Sequence, residues 1–234
     1  MMGGPDTHDS SVERMTPVVR RLILLRHGQT EYNAASRMQG QLDTELSALG
    51  VQQAATAGAV LARRAPRLII SSDLTRARDT AVALADRCGL TVTTDTRLRE
   101  THLGDWQGMT HLEVDEAMPG ARGQWRDDAH WRPPNGESRV DVAARSVPLV
   151  AELVEGLPDW GRGPDADTPV VLVAHGGAIA ALTAGLLDLP VRNWPVFGGL
   201  ANTSWVQLSG HGDTPTWRLD VWNASAEVAD AGVQ

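Results

Sequence analysis

The chain has 234 residues, 42 % of them apolar, enough to bury the core of one α/β domain or two small ones and too many for a disordered chain. Its formal charge is −8. An acidic balance argues against general binding to nucleic acid or to membrane surfaces, so an anionic ligand would have to be drawn in by a local cluster of arginines.

Residues 1–16 are polar and lack the apolar stretch of a secretory signal, and no apolar run reaches membrane-spanning length. Residues 1–20 read as a loose leader, with Met15 an alternative start, and a cytoplasmic location is the simplest expectation. Leu22-Ile23-Leu24-Leu25 is a short all-apolar run, as expected of a strand buried on both faces of a parallel sheet. Ser47 is placed to cap a helix over 48–64, with Pro66 just past its end. Leu68-Ile69-Ile70 reads as a second buried strand. Ser71-Ser72-Asp73 follows as a cap-rich start for a helix over 74–88, closed by Gly89. The single cysteine, Cys88, lies in that helical pattern; it excludes an intrachain disulfide and reads as a buried, inert thiol. A weaker strand spans 91–94, and Glu100 is expected at the end of a short strand.

Residues 100–136 differ. They are rich in Gly and Pro and carry Trp106, Trp125 and Trp131, so 101–137 reads as a lid-like insertion with one short helix near 111–118. Ser138 then caps a long helix to about Gly156. Val170-Val171-Leu172-Val173 is the clearest buried strand; Gly176-Gly177 breaks it before a helix over 178–187. Residues 205–208 and 217–221 alternate and predict an antiparallel edge, and 225–234 are expected to be a flexible tail. Strands alternating with helices predict a three-layer α/β/α fold, with a mostly parallel central sheet, over residues 21–224. Such sheets bind ligands at the carboxyl ends of their strands.

Arg26-His27-Gly28 and His175-Gly176-Gly177 each follow a predicted strand directly. If those strands are neighbours, both rings share one small volume. Two histidines and an arginine can hold a metal, run acid–base chemistry, or bind and attack phosphate. No carboxylate or Cys stands at ligand spacing, and Arg26 would repel a cation. Phosphate fits: arginine pairs with phosphate oxygens, and neutral imidazole is a competent nucleophile at phosphorus. Alone, the tripeptide is weak. Arg76 in the first turn of a helix, Glu100 as a proton donor, and the amide of Asn33 strengthen it.

Arg26-His27-Gly28-Gln29-Thr30, Ser71-Ser72-Asp73-Leu74-x-Arg76-Ala77-x-x-Thr80, Leu98-Arg99-Glu100, Leu103-Gly104-x-Trp106-Gln107-Gly108 and Ala174-His175-Gly176-Gly177 stand in that order over about residues 21–187. Together they resemble the histidine phosphatase superfamily, also called phosphoglycerate mutase-like. The resemblance implies that His27 is the nucleophile, that Arg26, Arg76 and His175 hold the phosphoryl oxygens, and that Glu100 protonates the leaving group and then activates water. Asn33 matches a phosphate-supporting position, and the family works with no metal and no cofactor. Further matches at 37–46, 97–108, 136–146 and 219–226 are similar to members acting on phosphorylated sugar-glycerates, and imply a small-molecule substrate of that class and a homodimer.

Beside the resemblance, Trp106, Trp125 and Trp131 are expected as apolar walls for a sugar ring. His102 and Gln39 would be polar contacts, Gln39-Gly40 and Arg37 would lie near a glycerate carboxylate, and Gly176 would let the anion approach. A phosphoglycerate mutase, a broad acid or α-ribazole phosphatase, and a non-catalytic phospholigand-binding module stay open as alternatives. Thr101-His102-Leu103-Gly104 after the acid leans toward hydrolysis.

Overall fold

Alternation along the strands decides the architecture. In the computed structural model, which describes residues 17–226, strand β1 (Val19–Arg26) sends Leu22 and Leu24 to one face and Ile23 and Leu25 to the other. None of the four is more than 4 % exposed, so β1 is central and covered on both sides. Around it lie β2 (Leu68–Ser71), β3 (Val92–Thr94), β4 (Val170–Ala174), β5 (Trp205–His211) and β6 (Thr216–Ala224), in the order β3-β2-β4-β1-β5-β6. The first four are parallel; β5 and β6 close the sheet as the expected antiparallel edge.

The helices are α1 (Glu31–Ala34), α2 (Ala48–Ala62), α3 (Thr75–Cys88), α4 (His111–Ala117), α5 (Ala121–Asp127), α6 (Arg139–Gly156) and α7 (Gly176–Leu186). Ala57 and Leu61 of α2, with Ala77, Ala81 and Leu84 of α3, pack on Ile23, Leu25, Val171 and Val173. Leu149 and Val150 of α6, with Ile179 and Leu182 of α7, pack on Leu22, Leu24, Val170 and Leu172. Each fully buried Leu, Ile or Val contributes about 1.5–3 kcal/mol of transfer free energy. The result is the predicted three-layer sandwich. The insertion has its own apolar cluster, Met38, Leu103, Trp106, Val114 and Ala121, against which Trp125 and Trp131 pack.

Some expectations shift. Glu100 does not end a strand: Asp95 caps a 3-10 turn over Thr96–Leu98, and irregular backbone follows. Helix α7 opens at Gly176, with His175 as its cap, instead of at Ala178. A glycine in the first turn forfeits no hydrogen bond. Helix α3 starts at Thr75 because Ser72 and Asp73 are engaged elsewhere, and Asp43 of a distant loop accepts from Thr75 N instead. Helices α1 and α5 were not anticipated. Cys88 is half-buried, its thiol pushed up by partial desolvation. β1 begins at Val19, within the stretch assigned to the leader. Residues 1–16 and 227–234, which hold most of the expected leader and tail, and Met15 with them, lie outside the described residues. No described helix is long and apolar enough to cross a membrane.

Candidate active site

Register brings the two histidines together. In the β1–β4 pairing Arg26 lies opposite Ala174, so His27 and His175 leave the sheet side by side. Their ring centroids are 5.1 Å apart. His27 N still donates to Ala174 O at 3.1 Å. Both rings are buried, at 3 % and 0 % exposure.

The His27 tautomer follows from its partner. Nδ1 lies 2.6 Å from the Gly28 carbonyl oxygen, which only accepts, so Nδ1 carries the hydrogen and Nε2 is left with a bare lone pair. Burial lowers the His27 pKa well below the ordinary histidine value, and the positive charges of Arg76 and Arg26 push it the same way. His175 is lowered well below it too, first by burial, then by Arg76, His27 and Arg26. Its Nε2 meets Ser72 Oγ at 2.9 Å, and its Nδ1 is buried with no protein partner.

Arg76 reaches this volume from the first turn of α3 and is 1 % exposed. Its Nη2 donates to Gly40 O at 2.8 Å and its Nη1 to Leu42 O at 2.7 Å; Nε has no protein partner. Burial lowers its pKa to about 10, against which Glu100 and Asp43 raise it, so the guanidinium stays charged at neutral pH. Arg26 closes the opposite side and donates through Nη1 to Leu200 O.

Glu100 sits at the N-terminus of α7. Its Oε1 accepts from Thr101 N at 2.8 Å and Ala178 N at 2.9 Å, and its Oε2 from Gly177 N at 3.0 Å. A Cβ on Gly177 would fall 2.6 Å from Oε1, so any other residue there would push the carboxylate aside. Glu100 is not the plain ion-pair partner of its neighbours: Arg97 bonds Asp95 and Glu152, and Arg99 bonds Asp73.

Arg26, His27, Arg76, Glu100 and Gly177 line a cavity of ≈ 140 Å³ together with Asn33, Arg37, Gln39, Gly40, Thr101, Leu103 and Trp125; His175, wholly buried beside the His27 ring, does not line it. Arg26, Glu100, Trp125 and Gly177 are shared with a wider cleft of ≈ 690 Å³, to which Gly176, Arg122, Arg126, Arg139 and Phe197 contribute. Asn33 caps α1 through its Oδ1, bonded to Thr30 N at 3.1 Å. The Gln39 side chain accepts from Thr44 Oγ1 at 2.7 Å.

Two expectations do not hold at this cavity. His102 is turned into its own loop, its Nδ1 accepting from Gly104 N, and does not line the cavity. Of the three tryptophans only Trp125 lines it; Trp106 is 2 % exposed and stacks near Trp131 inside the insertion. Other residues were missed. Thr80 Oγ1 accepts from Gly28 N at 3.0 Å, and Asn202 Nδ2 donates to His27 O at 3.1 Å and to Asn33 Oδ1 at 3.3 Å. Thr80 stood within a motif; nothing in the sequence marked Asn202.

A compact anion site with a bare imidazole nitrogen, a buried arginine, a half-buried one and a carboxylate is the equipment of phosphoryl transfer through histidine. Residues 22–225 match the profile of the histidine phosphatase superfamily (branch 1), and the chain belongs to that family. It is 70 % identical over 221 residues to the glucosyl-3-phosphoglycerate phosphatase of Mycolicibacterium vanbaalenii, covering 91 % of this chain and 98 % of that one. It is 65 % identical over 216 residues to the enzyme of the same name from Mycobacterium tuberculosis, covering 90 % and 97 %. The solved structure of a mycobacterial glucosyl-3-phosphoglycerate phosphatase in complex with VO3 superposes with a TM-score of 0.87 at 67 % identity, covering 88 % of this chain and all of that one.

Proposed function

We propose that the chain hydrolyses glucosyl-3-phosphoglycerate to glucosylglycerate and phosphate through a phosphohistidine, with mannosyl-3-phosphoglycerate as a second substrate. The observation that carries the chemistry is the bare Nε2 of His27 between Arg26 and Arg76. That nitrogen attacks phosphorus, the N–P bond forms, and the ester P–O bond breaks. Arg26, Arg76 and His175 hold the equatorial oxygens. His175 Nε2 is engaged by Ser72 Oγ, which leaves His175 Nδ1, with no protein partner, as its ring nitrogen for the phosphoryl group. Glu100 gives its proton to the leaving alkoxide. It then takes one from water as water attacks the phosphohistidine, which restores the His27 lone pair and frees phosphate. No step calls for a metal or cofactor.

The inner cavity is matched to a phosphoryl group and part of the glycerate, with Gln39, Gly40, Asn33 and Arg37 beside them. The wider cleft, reached past Trp125, takes the hexose. The identity to relatives bearing that enzyme name supports the substrate. The reading extends to a homodimer acting in the cytoplasm.

Phosphate release from glucosyl-3-phosphoglycerate, mannosyl-3-phosphoglycerate, 3-phosphoglycerate and α-ribazole phosphate tests the substrate. A clear preference for the first two is expected; equal rates would leave a general phosphatase, and isomerisation of 3-phosphoglycerate without free phosphate would mark a mutase. His27→Ala should abolish phosphate release and any label trapped on the protein by acid-free quenching. Unchanged release would move the chemistry to another residue.

A further inference from the structure

Glu100 lies in backbone with no regular structure, yet its main chain is held from two sides. Arg145 Nη2, on α6, donates to Glu100 O at 2.9 Å, and Gln41 Nε2 donates to the same oxygen at 3.1 Å. The same guanidinium donates through Nη1 to Arg97 O at 2.6 Å. It is locked by Glu137, whose Oε1 accepts from Nε at 3.0 Å and whose Oε2 accepts from Nη2 at 3.1 Å. Glu137 also grips the far side: Oε2 accepts from His102 N at 2.9 Å, and Glu137 N donates to His102 O at 2.8 Å. One guanidinium–carboxylate pair thus binds the backbone at 97, 100 and 102. Neither Arg145 nor Glu137 lines the inner cavity or the wider cleft.

We infer that Arg145, locked by Glu137, is a positioning residue that sets where the Glu100 carboxyl stands when it delivers its proton. The inference rests on Glu100 being the proton carrier proposed above. The Glu100 carboxylate is fixed at its tip by Gly177 and Ala178 and at its main chain by Arg145. Releasing the main chain lets the tip swing, and a misplacement of about 1 Å costs on the order of a hundredfold in rate. A lysine in place of Arg145 keeps the charge but cannot bond Arg97 O, Glu100 O and both Glu137 oxygens at once.

The test compares two leaving groups through kcat/KM, which reports phosphoryl transfer to His27 and departure of the leaving group but not the later attack of water common to both. Glucosyl-3-phosphoglycerate leaves as an alkoxide and needs a proton; p-nitrophenyl phosphate leaves as a stable phenolate and does not. Glu100→Gln should lose far more on the alkyl ester than on the aryl ester. Arg145→Gln should show the same pattern, its loss on the alkyl ester exceeding that on the aryl ester by about tenfold or more, with partial recovery in Arg145→Lys. Glu137→Gln, which still accepts from His102 N, makes the same comparison should Arg145→Gln fail to fold. Equal loss on both esters in folded Arg145 and Glu137 variants, while Glu100→Gln discriminates, overturns the positioning role alone. Equal loss in Glu100→Gln overturns the proton-carrier reading, and the inference with it.

Discussion

Arg76 carries two tasks with one side chain. Its terminal nitrogens hold the carbonyls of Gly40 and Leu42, and its Nε, without a protein partner, is the donor that the proposed mechanism gives to the phosphoryl oxygens. A planar fork can do both; a lysine ammonium is a single point and cannot. Arg76→Lys should therefore lower kcat by roughly 10²–10³, the scale of removing a donor aimed at developing charge. Steady-state kinetics on the preferred ester checks it, and activity within tenfold of the parent would show that positive charge alone suffices. The site residues legible in the sequence are those like Arg76, His27 and His175, where chemistry stands directly beside a strand end or helix start. Ser72, Thr80 and Asn202 were not legible as partners, because His175, Gly28 and His27 lie far from them in the chain. A hydroxyl or amide has no meaning there until the sheet register is known.

At the scale of elements, the N-terminus of α7 is the junction between scaffold and chemistry. Gly177 lets Glu100 reach the first-turn amides, and an added Cβ would stand 2.6 Å from Glu100 Oε1 and 3.0 Å from Thr101 Oγ1. Alanine is the better helix residue by roughly 0.5–1 kcal/mol. Gly177→Ala should thus keep or slightly raise the thermal midpoint while phosphate release drops at least about tenfold through displacement of the carboxylate. Loss of stability and activity together would mean the glycine serves packing. The same pair of glycines explains why the start of this helix was misread: they look like breakers, yet the first turn leaves amides free whatever residue stands there. β1 and β4 were legible because burial on both faces demands unbroken apolar runs. α1 and α5 were not, since helices of 4 and 7 residues are too short to show a period. The strand expected at Glu100 failed because Arg97 and Arg99 answer to Asp95, Glu152 and Asp73, partners no local pattern reveals.

Across the whole molecule, a chain of net charge −8 keeps two histidines uncharged beside the buried Arg76 and the half-buried Arg26. This arrangement ties stability to pH. In the folded protein both His27 and His175 bind a proton only well below the ordinary histidine value, because burial and the positive charges of Arg76 and Arg26 oppose it. In the unfolded chain they titrate near about 6.5. Above that pH neither state holds the protons, and the histidines do not affect stability. Below it the unfolded state binds more protons, so stability falls as pH falls, on the order of 1 kcal/mol per pH unit for each ring, until the folded value is reached. The thermal midpoint should therefore decline between pH 7 and pH 5, and the decline should be shallower in His175→Gln, which removes one of the two protons from the balance. Activity measured over the same range should not fall at the ordinary histidine value, since the His27 lone pair persists below it. A decline of equal steepness in parent and variant would mean that His175 takes up its proton as readily in the fold as in the unfolded chain, and a steeper one in the variant that it is already protonated in the fold; either outcome removes the neutral imidazole pair on which the proposed phosphoryl site is built.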